Sequence, residues 1–143
     1  MRHLVRQTIR FSDADPAGIA FYPRIFDHLH EAFEDFFDCC AGTPYAKILG
    51  EHRIGFPTVN VSAEFLKPLR HGDVIDVELT VTKIGQTSFT CRYRVMRDHE
   101  ICATATLTTA VVSLDGMNPV PVPDRFRKFL KEHLDEDESR DLR

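Results

Sequence analysis

Apolar and polar side chains alternate at the start of the chain. Val5, Ile9 and Phe11 fall on one side of an extended backbone and Arg6, Thr8 and Arg10 on the other, which predicts a first strand over Leu4–Phe11. The period then changes. From about Pro23 to Cys40, Ile25, Leu29, Phe33, Phe36, Phe37 and Cys40 recur at spacings of three and four, with Asp27, Glu31, Glu34 and Asp35 off that stripe; this predicts one long amphipathic helix. Pro23 suits a first helical turn, where a missing N–H costs no hydrogen bond. Gly42 suits a stop, and Thr43-Pro44 suits the start of a short second helix ending near Leu49-Gly50.

Beyond residue 58 the period is two. Val59, Val61, Ala63 and Phe65 alternate with Asn60, Ser62 and Glu64, and a turn follows at Lys67–Asp73. Ile75, Val77, Leu79 and Val81 form the next run, broken at Lys83-Ile84-Gly85-Gln86; Phe89, Cys91, Tyr93 and Val95 form another. Arg97–Glu100 reverses the chain into a long last strand over Ile101–Leu114. Such alternation predicts antiparallel strands with one covered face. Pro119, Pro121 and Pro123 hold an extended loop, and Asp124 caps a final helix carrying Phe126, Phe129, Leu130 and Leu134. One long helix and five antiparallel strands bury both amphipathic surfaces most economically as a two-layer α+β domain. An uncovered edge strand then invites pairing with a second subunit.

With 143 residues, a single domain over residues 1–134 is expected, followed by an acidic, frayed tail over 135–143. A formal charge of −4 and the lack of a basic run argue against nucleic acid as a partner. No apolar run approaches the roughly 20 residues that span a bilayer, and residues 1–7 carry no apolar signal segment. No membrane association and a cytoplasmic location are therefore expected.

The four cysteines show no Cys-x-x-Cys spacing. Cys39 and Cys40, adjacent on a helix, are expected to point apart, and Cys91 and Cys102 lie in apolar strand patterns where thiols are usually inert. There is no Gly-x-Ser-x-Gly elbow. His28, His30, Glu31 and Glu34 raise the question of a metal, since His30 and Glu34 share a helix face. No partnering ligand motif is visible elsewhere, so they read as a solvated helix face and no metal is expected.

The stretch Phe11-Ser-Asp-Ala-Asp-Pro-Ala-Gly-Ile-Ala-Phe-Tyr-Pro23 is the chemically informative one. It puts two acids and a Pro-Ala-Gly turn ahead of a helix whose first amides have no partner within the helix. An acid beside such donors suits attack on a carbonyl, the donors holding the oxygen. On spacing alone, Asp15 equally well caps the turn or the helix. Asp13 reads as a turn or ion-pair residue, with Arg10 or Arg24 as partner.

At Asp13-Ala-Asp-Pro-Ala-Gly-Ile-Ala-Phe-Tyr-Pro the chain resembles the 4-hydroxybenzoyl-CoA thioesterase family of hotdog-fold proteins. The resemblance continues through the helix, Glu64-Phe-Leu-Lys-Pro-Leu69 and Thr87-Ser-Phe89. It implies a hotdog fold, a long central helix packed against a curved five-stranded antiparallel sheet. It also implies a homodimer, often paired into a homotetramer, with active sites between subunits. The implied activity is hydrolysis of an acyl-CoA thioester to the free acid and CoA, with no metal or organic cofactor.

Asp15 matches the catalytic carboxylate, as nucleophile or general base, and Tyr22 the residue whose backbone N–H polarises the thioester carbonyl; Gly18 lets the backbone approach the ligand. Tyr22-Pro23 looks more like the aryl-CoA branch (4-hydroxybenzoyl-CoA, benzoyl-CoA) than the short-chain aliphatic branch, which carries Tyr-His there. Gly85, Gln86 and Thr87 stand where the hydroxybenzoyl-type pattern places basic residues. For CoA, the available groups are Thr87 and Ser88, with Lys67, Arg70 and Lys83. The alternatives are a short-chain aliphatic acyl-CoA thioesterase, a non-catalytic acyl-CoA-binding hotdog protein, and a hotdog dehydratase or hydratase. The last would need a His beside the acid, and His28 and His30 lie too far along the helix to pair simply with Asp15.

Overall fold

The computed structural model describes residues 1–135. The elements follow in the order β1 (His3–Thr8), α1 (Tyr22–Cys40), α2 (Tyr45–Gly50), β2 (Ile54–Gly55), β3 (Thr58–Phe65), β4 (Val74–Ile84), β5 (Ser88–Arg97), β6 (Glu100–Ala110), β7 (Val112–Ser113) and α3 (Asp124–Glu132). Five strands form one sheet in the order β1-β4-β5-β6-β3, every neighbouring pair antiparallel. This is the expected two-layer α+β arrangement. Helix α1 lies on the sheet face that carries Val77, Leu79, Phe89, Cys91, Tyr93 and Val95, and its own stripe of Ile25, Leu29, Phe33, Phe36 and Phe37 completes the core. Helix α3 seals one end, with Phe126, Phe129 and Leu130 buried and Phe129 edge-on to both Phe36 and Phe37.

Asp124 is the first residue of α3 and not its cap, which falls on Pro123, and two strand ends also differ from expectation. The first strand stops at Thr8; Phe11 begins a single 3-10 turn over Phe11–Asp13 and is 80% exposed. Ile9 is nonetheless fully buried, its N–H donating to Asp73 O and its carbonyl accepting from Gly72 N–H. The last strand is interrupted: Val111 N–H turns to the Thr87 carbonyl, and Val112–Ser113 then pairs with Ile54–Gly55 in a separate ribbon. Alternation continues across that break, so the sequence alone does not reveal it. The expected tail over 135–143 lies outside the described residues except for Asp135, whose N–H donates to Val81 O.

Strand β3 is an edge, and all but one of its residues are exposed. Val61, Ala63 and Phe65 face inward by register with Leu107, Ala105 and Ala103, yet Val61 is 50% and Phe65 46% exposed. Phe26 of α1 meets Phe65 edge-on at 6.2 Å but leaves it partly open to solvent. Among the described residues, no helix is long and apolar enough to cross a membrane.

Candidate active site

The acid-bearing loop is a small hairpin clamped onto the sheet. Ala14 bridges Ala20, Asp15 N–H donates to Ile19 O, and Ile19 bridges Arg70. Gly18 N–H donates to Asp15 O at 2.9 Å, closing a turn over residues 15–18. Pro16 suits its second position, and Gly18 takes φ +80°, a conformation that costs glycine little. A Cβ on Gly18 would meet nothing within 4 Å, so the glycine answers to backbone angle and leaves open space beside the turn.

Within this hairpin Asp15 is half-buried, and its Oδ1 accepts the Ala17 N–H at 2.9 Å. The carboxylate thus stabilises its own turn in the manner of an Asx turn. It does not cap α1, whose N-cap position is the extended Phe21 and which has no side-chain cap. Capping and availability are compatible here, because one carboxylate oxygen is engaged and a second remains.

The start of α1 is organised by backbone groups. Phe21 N–H donates to Asp13 O at 2.8 Å and Arg24 N–H to Phe21 O at 2.8 Å. Pro23 has no N–H. The Tyr22 N–H lies between these, and no backbone carbonyl among the described residues accepts it. A helix N-terminal amide of this kind carries partial positive charge and offers a donor to an incoming oxygen. The Tyr22 side chain is 59% exposed and meets Phe21 and Phe65 edge-on at 5.5 and 6.0 Å, so an aromatic patch surrounds the helix mouth.

The loop is tied to α1 by residues outside the expected site. Asp13 Oδ2 accepts the Arg10 N–H at 2.8 Å and lies 3.0 Å from His28 Nε2. His28 Nδ1 in turn meets Gln7 Oε1, while Gln7 Nε2 donates to the His28 carbonyl at 2.9 Å. Gln7, Asp13 and His28 are all buried. Burial alone would push the Asp13 carboxyl up. The Arg10 N–H, the His28 hydrogen bond and the charges of His28 and Arg24 outweigh it and hold the carboxyl below its ordinary value.

His28 is therefore not part of a solvated helix face, and Asp13 pairs with it rather than with Arg10 or Arg24 side chains. A signal existed: Gln7 sits between Val5 and Ile9 on an otherwise apolar strand face, and a polar group there needs a buried partner. His30 Nε2 and Glu34 Oε2 do meet on an exposed helix face, 3.2 Å apart.

The residues expected to hold CoA divide into two groups. Arg70 stands beside the acid hairpin through its bridge to Ile19, and Lys67, nearby in the chain, pairs with Glu100 at 2.6 Å. Lys83, Thr87 and Ser88 lie at the far end of β4, where Ser88 O accepts the Gly85 N–H and Arg127 donates to Gly85 O. Eleven residues of strand separate the ends of β4, about 35 Å. A single chain does not bring the two groups together.

Between α1 and the inner face of β3 runs a cleft of about 230 Å³, lined by Phe26, Leu29, Phe33, Phe56, Val61 and Leu107 among others. Phe33, Phe36 and Phe37 are core residues; Phe26 and Phe33 also border this cleft. The Cys91 and Cys40 thiols make poor nucleophiles. Burial pushes Cys91 up to about 12; burial and then the neighbouring Cys39 push Cys40 up to about 11.

Comparison with known proteins agrees with this architecture. Residues 9–130 match the family model described as the thioesterase-like superfamily. A 1,4-dihydroxy-2-naphthoyl-CoA hydrolase from Synechococcus elongatus is 25% identical over 126 residues, covering 88% of this chain and 93% of the relative. One from Crocosphaera subtropica is 32% identical over 95 residues, covering 66% of this chain and 69% of the relative. The crystal structure of a 4-hydroxybenzoyl-CoA thioesterase mutant complexed with 4-hydroxybenzoyl-CoA superposes with a TM-score of 0.83 at 26% identity, over 90% of this chain and 98% of that one. A long helix on a five-stranded antiparallel sheet, an acid hairpin at the helix mouth and these matches lead to one conclusion: the chain belongs to the thioesterase-like superfamily and is a hotdog-fold thioester hydrolase.

Proposed function

We propose that this protein hydrolyses an aryl-CoA thioester to the free aryl acid and CoA, with Asp15 supplying the carboxylate and the Tyr22 N–H holding the carbonyl oxygen. Two observations support the reading: Asp15 is held by its own turn in the loop before α1, and the first amide of that helix, Tyr22 N–H, is taken by no backbone carbonyl among the described residues. Thioester carbonyls are electrophilic and thiolate is a fair leaving group, so an oxyanion donor and one carboxylate suffice in principle. Two routes satisfy the chemistry. In one, Asp15 attacks the carbonyl carbon, the C–S bond breaks, CoA leaves as thiolate, and water hydrolyses the mixed anhydride. In the other, Asp15 takes a proton from water as the resulting hydroxide attacks, and that proton ends on the departing sulfur. Neither route uses a metal or an organic cofactor.

The aromatic lining of the cleft beside α1 supports an aryl acyl group. The relatives named for 1,4-dihydroxy-2-naphthoyl-CoA and 4-hydroxybenzoyl-CoA point the same way. The working unit in this reading is a homodimer, itself able to pair into a tetramer. The exposed edge β3, with Val59, Val61 and Phe65 bare, supports pairing with a second copy. A two-fold axis there would carry the Lys83–Ser88 end of one subunit toward the Asp15–Arg70 end of the other, reuniting the two groups proposed for CoA. Release of free thiol from a panel of aryl and aliphatic CoA esters tests the reading. Turnover favouring aryl esters supports it; no thiol release from any of them rejects it.

A further inference from the structure

A second cluster of reactive side chains lies at the opposite end of α1, about 26 Å along the helix from Tyr22. Ligand atoms of His3, Cys39 and Cys40 all lie within 4.8 Å of one another. Cys39 and Cys40 were expected to point apart; instead both sulfurs reach the same ring, because His3 on β1 crosses the helix surface just where the two side chains emerge. Four ligands at Zn–S of about 2.3 Å and Zn–N of about 2.0 Å sit roughly 3.5–3.8 Å apart in a tetrahedron, within rotamer adjustment of this spacing.

We propose that His3, Cys39 and Cys40 form a binding site for a thiophilic d10 cation, Zn²⁺, separate from the thioesterase centre. Two further observations support it. His3 Nε2 is 2.8 Å from Asp35 Oδ2, the kind of carboxylate–histidine contact that orients a metal-binding imidazole. The His3 ring also rests on Phe36, centroids 5.3 Å apart, so its position is fixed before any ion arrives.

Cys39 is exposed, which gives an ion access from solvent. The fourth position falls to water. A disulfide does not compete: adjacent Cα atoms are about 3.8 Å apart, short of the roughly 4.4–6.8 Å that a disulfide spans, and α1 stays regular to its end, Ala41 N–H donating to Phe37 O. Binding releases the two thiol protons to solvent as each sulfur becomes a thiolate ligand.

The test uses reduced, metal-free full-length protein titrated with Co²⁺ and then Zn²⁺. One equivalent of Co²⁺ per chain should give the intense visible bands of a tetrahedral site and the ultraviolet sulfur-to-metal charge-transfer band, both bleached by Zn²⁺. The double variant Cys39→Ser/Cys40→Ser should lose the bands and weaken Zn²⁺ binding by about 100-fold or more. Asp35→Asn should keep the bands and weaken binding by about 10–100-fold. An octahedral cobalt spectrum, or a double variant that binds Zn²⁺ as tightly as the parent, overturns the proposal. Cys91 and Cys102 are buried and serve as internal controls. The readout is independent of thioesterase activity.

Discussion

His28, on the second turn of α1, holds its Nε2 3.0 Å from Asp13 Oδ2, and this contact fastens the acid hairpin to the helix it precedes. The same Asp13 uses its carbonyl to accept the N–H of Phe21, the residue just before α1, so one residue fixes both the hairpin and the entry to the helix. His28→Ala should leave a buried carboxylate short of a partner and destabilise the fold by about 2 kcal/mol, lowering Tm by about 5–10 °C. If the pair only stabilised the fold, kcat measured well below Tm would be unchanged. As a positioning contact, it should lower kcat more than it raises KM.

Acid stability follows from two carboxylates. Asp13 and Asp73 both lie below their ordinary value of 3.8. In each, burial opposes the shift. The Arg10 N–H and His28 overcome it for Asp13, and the Arg70 N–H and Arg97 for Asp73. Because the folded values are lower, the unfolded chain takes up these protons first as pH falls. The stabilisation is complete above about pH 4 and disappears as pH drops through the folded values. Denaturant midpoints between about pH 6 and pH 2 should fall steeply at the acid end, and less steeply in Asp73→Asn. Identical slopes would remove Asp73 from the account.

Tyr22 allows the main chain to be tested directly. Phe21 has φ −66° and ψ 124°, a conformation that tolerates a following proline, and the first helical turn accepts one. Tyr22→Pro therefore deletes the N–H with little backbone disturbance, while Tyr22→Ala deletes the side chain alone. The proline variant should lose about 100-fold in kcat, the alanine variant far less, and Tyr22→Phe almost nothing. Equal losses in the proline and alanine variants would transfer the role to the ring or hydroxyl.

Edge pairing through β3 is open to a similar test. Val59 and Val61 are 61% and 50% exposed on an edge strand. Val59→Lys/Val61→Lys adds charge to that edge and should shift the protein to monomer in sedimentation experiments, with thioesterase activity falling in parallel. A double variant that stays dimeric would place the association elsewhere.

Much of this was legible from period alone. The helix bounded by Tyr22 and Cys40 and the strands around Val77, Tyr93 and Ala105 carry clean alternation or a clean stripe, and each appears where expected. The exceptions have physical causes. Phe11 continues an alternating pattern but belongs to a turn, because the Asp13 carboxylate accepts the Arg10 N–H and closes the chain early. His28 looked exposed by composition; its burial depends on Gln7, 21 residues earlier, and helical period does not encode that contact. The meeting of His3 with Cys39 and Cys40 likewise joins β1 to the end of α1, a tertiary contact with no local signature.

The most direct test of the central claim is thiol release by Asp15→Asn under single-turnover conditions with an aryl-CoA ester. Asparagine keeps an oxygen for the Ala17 N–H, so the turn should survive and ester binding should stay within about threefold. The account predicts a rate about 1,000-fold or more below the parent enzyme. A rate close to that of the parent would contradict it.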